Sequence, residues 1–148
     1  MIVLDTTILV YAKGEGHPLR AACRSVLAAI DRGDLIATTT AEVIQEFVHV
    51  RARRRDRADA AALGRDYVDL LAPLLPVTEE HVRGGLALFA RLPEIGSFDA
   101  VLAAAAIAAG AEALVSADRG FSSIRELVHI DPGTSAIDAL IGSPPAAT

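Results

Sequence analysis

Four acidic residues carry the chemistry this sequence offers. Asp5 ends the apolar run MIVL, Glu46 stands within AEVIQEFVHV, Asp99 within SFDAVLAAAA, and Asp118 closes LVSAD. An ionised carboxylate at the inner end of a buried run is costly unless it is paired or holds a metal. Four carboxylates brought together would repel and raise some of their own pKa values unless a cation neutralised them. Oxygen-only ligands select hard ions, so Mg²⁺ or Mn²⁺ is the natural occupant. Such an ion binds phosphates, can generate hydroxide and stabilises the charge of an in-line displacement at phosphorus.

Each acid also has an ordinary job open to it. Asp5 can cap the turn that follows, Asp99 can answer a helix dipole, Asp118 can shape a turn, and Glu46 can be a solvated helix residue. Glu42 is assigned as the reciprocal partner of a Thr39 cap and is kept out of the site. It lies i,i+4 from Glu46 on the same helix face, so the two are easily exchanged. Position decides between these readings, and position depends on the elements.

The continuous run Met1–Leu4 reads as a strand buried on both faces. TILVYAK follows as a short helical turn broken by GEGHP. A helix is expected from Pro18 through LRAACRSVLAAIDR to a stop at Gly33. Asp34–Thr38 is a second strand. Thr39-Thr40-Ala41-Glu42 reads as a capping box opening AEVIQEFVHVRARRR. Further helices are ADAAALGRDYVDLLAPLL, interrupted at Pro73, and TEEHVRGGLALFARL, despite Gly84 and Gly85. A Ser97 cap opens the Ala-rich helix that stops at Gly110. Glu112–Asp118 and Glu126–Asp131 are the third and fourth strands. Strands separated by helices mean a parallel sheet with helices on both faces, and ligands then bind beyond the carboxyl ends of the strands. All four acids can approach that one rim.

The order VLDTTIL, TAEVIQEFVHV and SFDAVLAAAAIAAGAEALVSADRGF resembles the PIN domain, and more narrowly the VapC toxins of type II toxin–antitoxin pairs. The resemblance runs from Met1 to about Asp131. It implies an α/β fold, a three-layer α/β/α sandwich on a small central parallel sheet, and a metal-dependent endoribonuclease that cleaves RNA. The family's acidic quartet falls on Asp5, Glu46, Asp99 and Asp118. Its hydroxyl residues fall on Thr6 and Ser116, which would support the carboxylates by hydrogen bonding. Two departures are visible. Thr7 stands where Asn is frequent, and Gly120 where a further acid often follows. The resemblance also implies a homodimer held inactive by a cognate antitoxin, VapB-like, lying across the active-site groove.

On this reading Asp5 and Asp99 ligate Mg²⁺ (or Mn²⁺) directly, Asp118 completes the shell or holds a second ion, and Glu46 orients the attacking water. The domain is expected over residues 1–134. Residues 135–148 form a tail of weak periodicity whose last residues are expected to be mobile.

The remaining features set bounds. The 148 residues suit one domain, and a hydrophobic content of 52% suits a globular one. A net charge of −5 argues against indiscriminate nucleic-acid binding over the whole surface. It leaves room for a local basic patch, and RARRRDR is the one strong cluster. Arg51, Arg53, Arg54 and Arg55 are candidate RNA contacts, against the plainer reading of cations at a helix C-terminus. The four histidines show no metal-ligand spacing, and the aromatics are too few for base stacking of the single-strand-binding kind. A single cysteine, Cys23, excludes a disulfide framework. No signal peptide is visible, and AVLAAAAIAAGA is too short and Ala-rich to span a bilayer, so a cytoplasmic protein without membrane attachment is expected.

Three other readings are weaker. A haloacid-dehalogenase-type phosphatase needs a second Asp where Thr7 stands. A receiver domain needs a lysine after a late strand, and the sole lysine is Lys13. A catalytically silent PIN-like module binding RNA or a protein would be burdened by an unpaired acidic cluster.

Overall fold

The computed structural model describes residues 1–142; the expected mobility of the last residues concerns 143–148, outside that range. β1 (Ile2–Leu4) is buried along its whole length, as a continuous apolar run requires in a strand covered on both faces. It pairs in parallel with β2 (Ala37–Thr38) on one side and with β3 (Ala113–Val115) on the other. β4 (His129–Ile130) adds in parallel to β3, giving the order β2-β1-β3-β4. The fold is the expected α/β sandwich with a small, wholly parallel sheet. Three strands are shorter than their sequence runs: β2 covers only Ala37–Thr38, with Ile36 exposed, β3 stops at Val115 short of Asp118, and β4 keeps only His129–Ile130.

The chain leaves β1 for one side of the sheet and returns to place β3 on the other. The strand order therefore reverses between β1 and β3, and a crevice opens beyond their carboxyl ends. Asp5 follows β1 directly, and Ser116 follows β3.

The helices explain how the other acids reach this rim. α1 (Thr6–Lys13) is a full helix of two turns, capped by the Asp5 side chain. α2 (Arg20–Asp31) starts two residues beyond Pro18 and is closed by Gly33 at φ 77°, a conformation that favours glycine. α3 (Ala41–Arg54) corrects the expected cap. Its N-cap is Thr40, whose side chain accepts from Val43 N. The Thr39 hydroxyl is instead spent on the neighbouring strand, donating to the Leu4 carbonyl at 2.6 Å. Glu42 is therefore free of the capping job assigned to it.

α4 (Arg57–Leu71) ends before Pro73, and α5 (Glu79–Arg91) is capped by Thr78 with His81 as reciprocal partner. α6 (Ser97–Ala108) has Gly96 at its N-cap, so Ser97 is the first helical residue rather than the cap. The Asp99 carboxylate takes the space a cap side chain would use: a Cβ at Gly96 would sit 3.0 Å from Asp99 Oδ2. Gly85 lets α5 and α6 meet at close range, since a Cβ there would fall 2.6 Å from Val101 Cα. A 3₁₀ turn, Arg119–Ser123, follows Asp118. The stretch after residue 134 is not wholly unstructured. α7 (Ala136–Gly142) buries Ile137 in the core and lies against α2. Ile137, Leu140 and Ile141 recur at helical spacing, a pattern too short to stand out in the sequence. No helix among the described residues is long and apolar enough to cross a membrane.

Candidate active site

Asp5 is only 4% exposed, and hydrogen-bond donors surround one of its oxygens. Three donors converge on Oδ2: Ser116 Oγ at 2.7 Å, Thr7 Oγ1 at 2.7 Å and Thr7 N at 3.3 Å. Both hydroxyls are themselves held by backbone amides, Ser116 Oγ by Asp118 N (2.9 Å) and Thr7 Oγ1 by Ala117 N (3.0 Å). Each hydroxyl can therefore accept from an amide while donating to Asp5, and the two hydroxyls also lie 3.3 Å from each other, so the bonds form one network. Oδ1 has no hydrogen-bond donor among the described residues and faces the cavity. Asp5 thus does both jobs at once, capping α1 through one oxygen and leaving the other for a ligand.

Glu46 reaches the same rim from α3, where Thr6 Oγ1 donates to its Oε2 at 2.6 Å. Asp118 caps the 3₁₀ turn, its Oδ1 accepting from Gly120 N at 2.7 Å. Asp99 projects from the first turn of α6 and is partly buried. Its carboxyl is pushed up to about 7, first by burial and then by the charges of Asp5, Asp118 and Glu46. Those three neighbours identify the gathering: Asp5, Asp118 and Glu46 all act on Asp99.

The structure brings the quartet together without closing it. Among the described residues no three His, Cys, Asp or Glu side chains form a ready ligand cage. Glu46 is held instead by Thr6, and Asp118 by the Gly120 amide. An all-oxygen donor set, with one acid crowded by three others, fits a hard divalent cation.

Three of the four acids, Asp5, Glu46 and Asp99, open into a cavity of about 680 Å³ between α3, α5 and α6 with Val82, Leu86 and Phe98, whereas Asp118 is not part of its lining. Glu42 and His49 also line it. Of the two glutamates, Glu46 is the one that acts on Asp99, and Glu42, one turn earlier, is not among its influences although both line the cavity. The sequence alone did not place His49 or Phe98 here, and Phe98 is 80% exposed. Their nearness to two motif acids was the available signal.

Two residues that depart from the family pattern turn out to be parts of the site. Thr7 supplies two of the three donors on Asp5. Gly120 holds Asp118, and no side chain fits there, because a Cβ would lie 2.5 Å from the Glu94 carbonyl oxygen and 3.1 Å from Asp118 Oδ1. His129 braces the end of β3, with its Nε2 2.8 Å from the Ser116 carbonyl and its Nδ1 2.7 Å from Ser122 Oγ. The arginines divide. Arg51 Nε donates to Asp59 and Arg55 to Glu15, each at 2.6 Å, whereas Arg53 and Arg54 are exposed.

Residues 2–127 match the PIN domain. The chain belongs to the PIN domain family. Among relatives of this PIN domain is Ribonuclease VapC7 of Mycobacterium tuberculosis, 55% identical over 143 residues, which are 96% of this chain and 99% of that protein. Ribonuclease VapC13 of the same organism is 32% identical over 128 residues, 83% of this chain and 94% of that one. The fold matches VapBC2 from Rickettsia felis, solved bound to a DNA fragment from their promoter, with a TM-score of 0.68 at 20% identity, covering 88% and 98% of the two chains. It also matches Mycobacterium tuberculosis VapC20, a Sarcin-Ricin loop cleaving toxin, with a TM-score of 0.69 at 16% identity over 86% and 98%.

Proposed function

We propose that this PIN domain is a metal-dependent endoribonuclease, the VapC toxin of a toxin–antitoxin pair, and that Asp5, Glu46, Asp99 and Asp118 are its working residues. The observation that carries the site is their convergence at the β1/β3 crevice, where Ser116 ties Asp5 to the end of β3. The ribonuclease activity follows from near full-length similarity to Ribonuclease VapC7.

Asp5, Asp99 and Asp118 would hold Mg²⁺, or Mn²⁺ in its place. The bound ion would neutralise charge developing on the phosphate during in-line attack by water. The chain's own residues prepare that event. Ser116 and Thr7 hold Asp5 in one orientation, with Oδ1 outward. Gly120 N fixes Asp118 in the same way. Glu46, tethered by Thr6, is placed to orient the attacking water or accept its proton. A VapB-type antitoxin is the partner this reading entails, acting on a homodimer in the cytoplasm.

The test is to map cut sites in total RNA after inducing the intact protein, Asp5→Asn and Asp99→Asn. Discrete new 5′ ends with the intact protein alone, lost on adding a chelator to the purified enzyme, are expected. Full cleavage by Asp5→Asn would overturn the site assignment.

A further inference from the structure

The groove between α1 and α3 has two chemically opposite ends. At one end Thr6 and Glu46 join the helices at the acid cluster. One turn further on, Val10 and Val50 themselves line a second cavity of about 240 Å³, together with Lys13, Arg51, Arg54 and Arg55. Two of these four cations are already matched: Arg51 by Asp59, and Arg55 by Glu15 at the rim. Lys13 and Arg54 are exposed and have no ion-pair partner among the described residues. Glu15 stands in the cavity lining, and Lys13 as well as Arg51 and Arg55 acts on Asp59, so four cations face two carboxylates and the balance is positive.

The acidic rim repels a nucleic-acid strand everywhere except where a cation intervenes, so attraction for the rest of the strand has to come from elsewhere on this acidic chain. Lys13 lies eight residues along the helix from Asp5, about 12 Å at 1.5 Å per residue. That is a distance at which a strand crossing the acid cluster presents its next phosphates. The Arg54 fork suits two phosphate oxygens, and the Lys13 ammonium acts as a point charge beside it.

We propose that the Lys13–Arg54 end of the α1–α3 groove is a phosphate subsite for the RNA strand whose scissile linkage lies at Asp5 and Asp99. The subsite rests on the ribonuclease reading and adds to it a direction for the substrate, along α1 and α3 away from the rim.

The test combines Lys13→Ala with Arg54→Ala and compares it with a charge-matched control, Arg83→Ala with Arg91→Ala, on α5. Binding of a labelled oligouridylate is titrated against salt in the Asp99→Asn background, and cleavage of total RNA is followed in the active background. With two phosphate-binding cations removed, the slope of log affinity against log salt falls in magnitude by about 1.4, at ~0.7 for each phosphate neutralised on a single strand. KM rises about tenfold with kcat unchanged, the mark of an interaction made equally in the ground and transition states. The control keeps the wild-type slope. Equal slopes in all three proteins, or equal reductions in both variants, overturn the subsite while wild-type cleavage leaves the ribonuclease reading standing. A variant that keeps its RNA slope but loses binding to polyglutamate assigns the cations to an acidic protein segment instead and also overturns it. Wild-type protein that leaves total RNA intact overturns both readings.

Discussion

Ser116 Oγ donates to Asp5 Oδ2 at 2.7 Å across 111 residues of sequence, joining the carboxyl ends of β1 and β3 at the point where the strand order reverses. The bond aims Asp5 as much as it stabilises it. With Ser116 and both Thr7 donors on one oxygen, the other is left to face the cavity.

Ser116→Ala removes that aim and leaves Asp118 N without its acceptor. Loss of a hydrogen bond that orients a metal ligand typically costs 10–100-fold in metal affinity or activity. The half-saturating Mg²⁺ concentration for RNA cleavage is expected to rise by about that factor, with kcat at saturating metal less affected. A purely structural role would lower thermal stability without moving the metal requirement.

Asp99 makes the metal-free protein sensitive to pH. Its carboxyl is raised from an ordinary 3.8 to about 7 by burial and by Asp5, Asp118 and Glu46. Between those limits the folded chain holds a proton that the unfolded chain releases. The stability from this group is complete below about pH 4 and is lost as pH rises through about 7. The difference in melting temperature between the wild type and Asp99→Asn should therefore widen from pH 5 to pH 8 in chelator, in favour of the variant. Mg²⁺ should narrow it by stabilising the wild type alone. A difference independent of pH would show that Asp99 is not crowded in solution.

Much of this was legible because carboxylates that close apolar runs break the pattern sharply. Asp5 and Asp118 are marked by the runs they terminate, and the parallel sheet by helices between apolar segments. What escaped depended on contacts distant in sequence. Two adjacent threonines offer equivalent caps on paper; Thr40 takes the role because the Thr39 hydroxyl is bound to Leu4 of the neighbouring strand. Thr7 stood where the family often has Asn, and its service to Asp5 shows only in the fold, where Ala117 N holds the hydroxyl that donates to Asp5. Only the fold shows that a second cavity opens where α1 and α3 meet, and that Arg51 and Arg55 already have partners.

Gly120→Ala is expected to damage Asp118 without touching it chemically. Its Cβ would meet the Glu94 carbonyl at 2.5 Å, and backbone cannot step aside as a flexible side chain can. Relief requires the 3₁₀ turn to move, taking with it the Gly120 amide that holds Asp118. A loss of about 1–3 kcal/mol in unfolding free energy is expected from the overpacking, together with a raised Mg²⁺ requirement. Chemical denaturation and metal titration of cleavage measure the two effects separately.

Gly85→Ala tests whether the close approach of α5 and α6 sets the width of the catalytic cavity. A methyl group at 85 would fall 2.6 Å from both Val101 Cα and Val101 Cγ2, and 2.8 Å from Val101 N. The side-chain clash can be relieved by rotation, but the two backbone clashes cannot, so the helices must separate. Val101 is two residues from Asp99 on α6, and Val82 and Leu86 on α5 line the cavity opposite. Separation therefore shifts Asp99 relative to Asp5, which is held on β1 by bonds that α5 does not share. Overpacking should cost about 1–3 kcal/mol, and cleavage should fall further than the stability loss explains at a temperature where the variant is fully folded. Gly84→Ala, one residue away, is the control. Its Cβ would meet only Ala104 Cβ, at an ordinary 3.5 Å, and exchanging glycine for alanine inside a helix stabilises by about 0.5–1 kcal/mol. The neighbouring substitutions are thus expected to move stability in opposite directions, with cleavage lost only for residue 85.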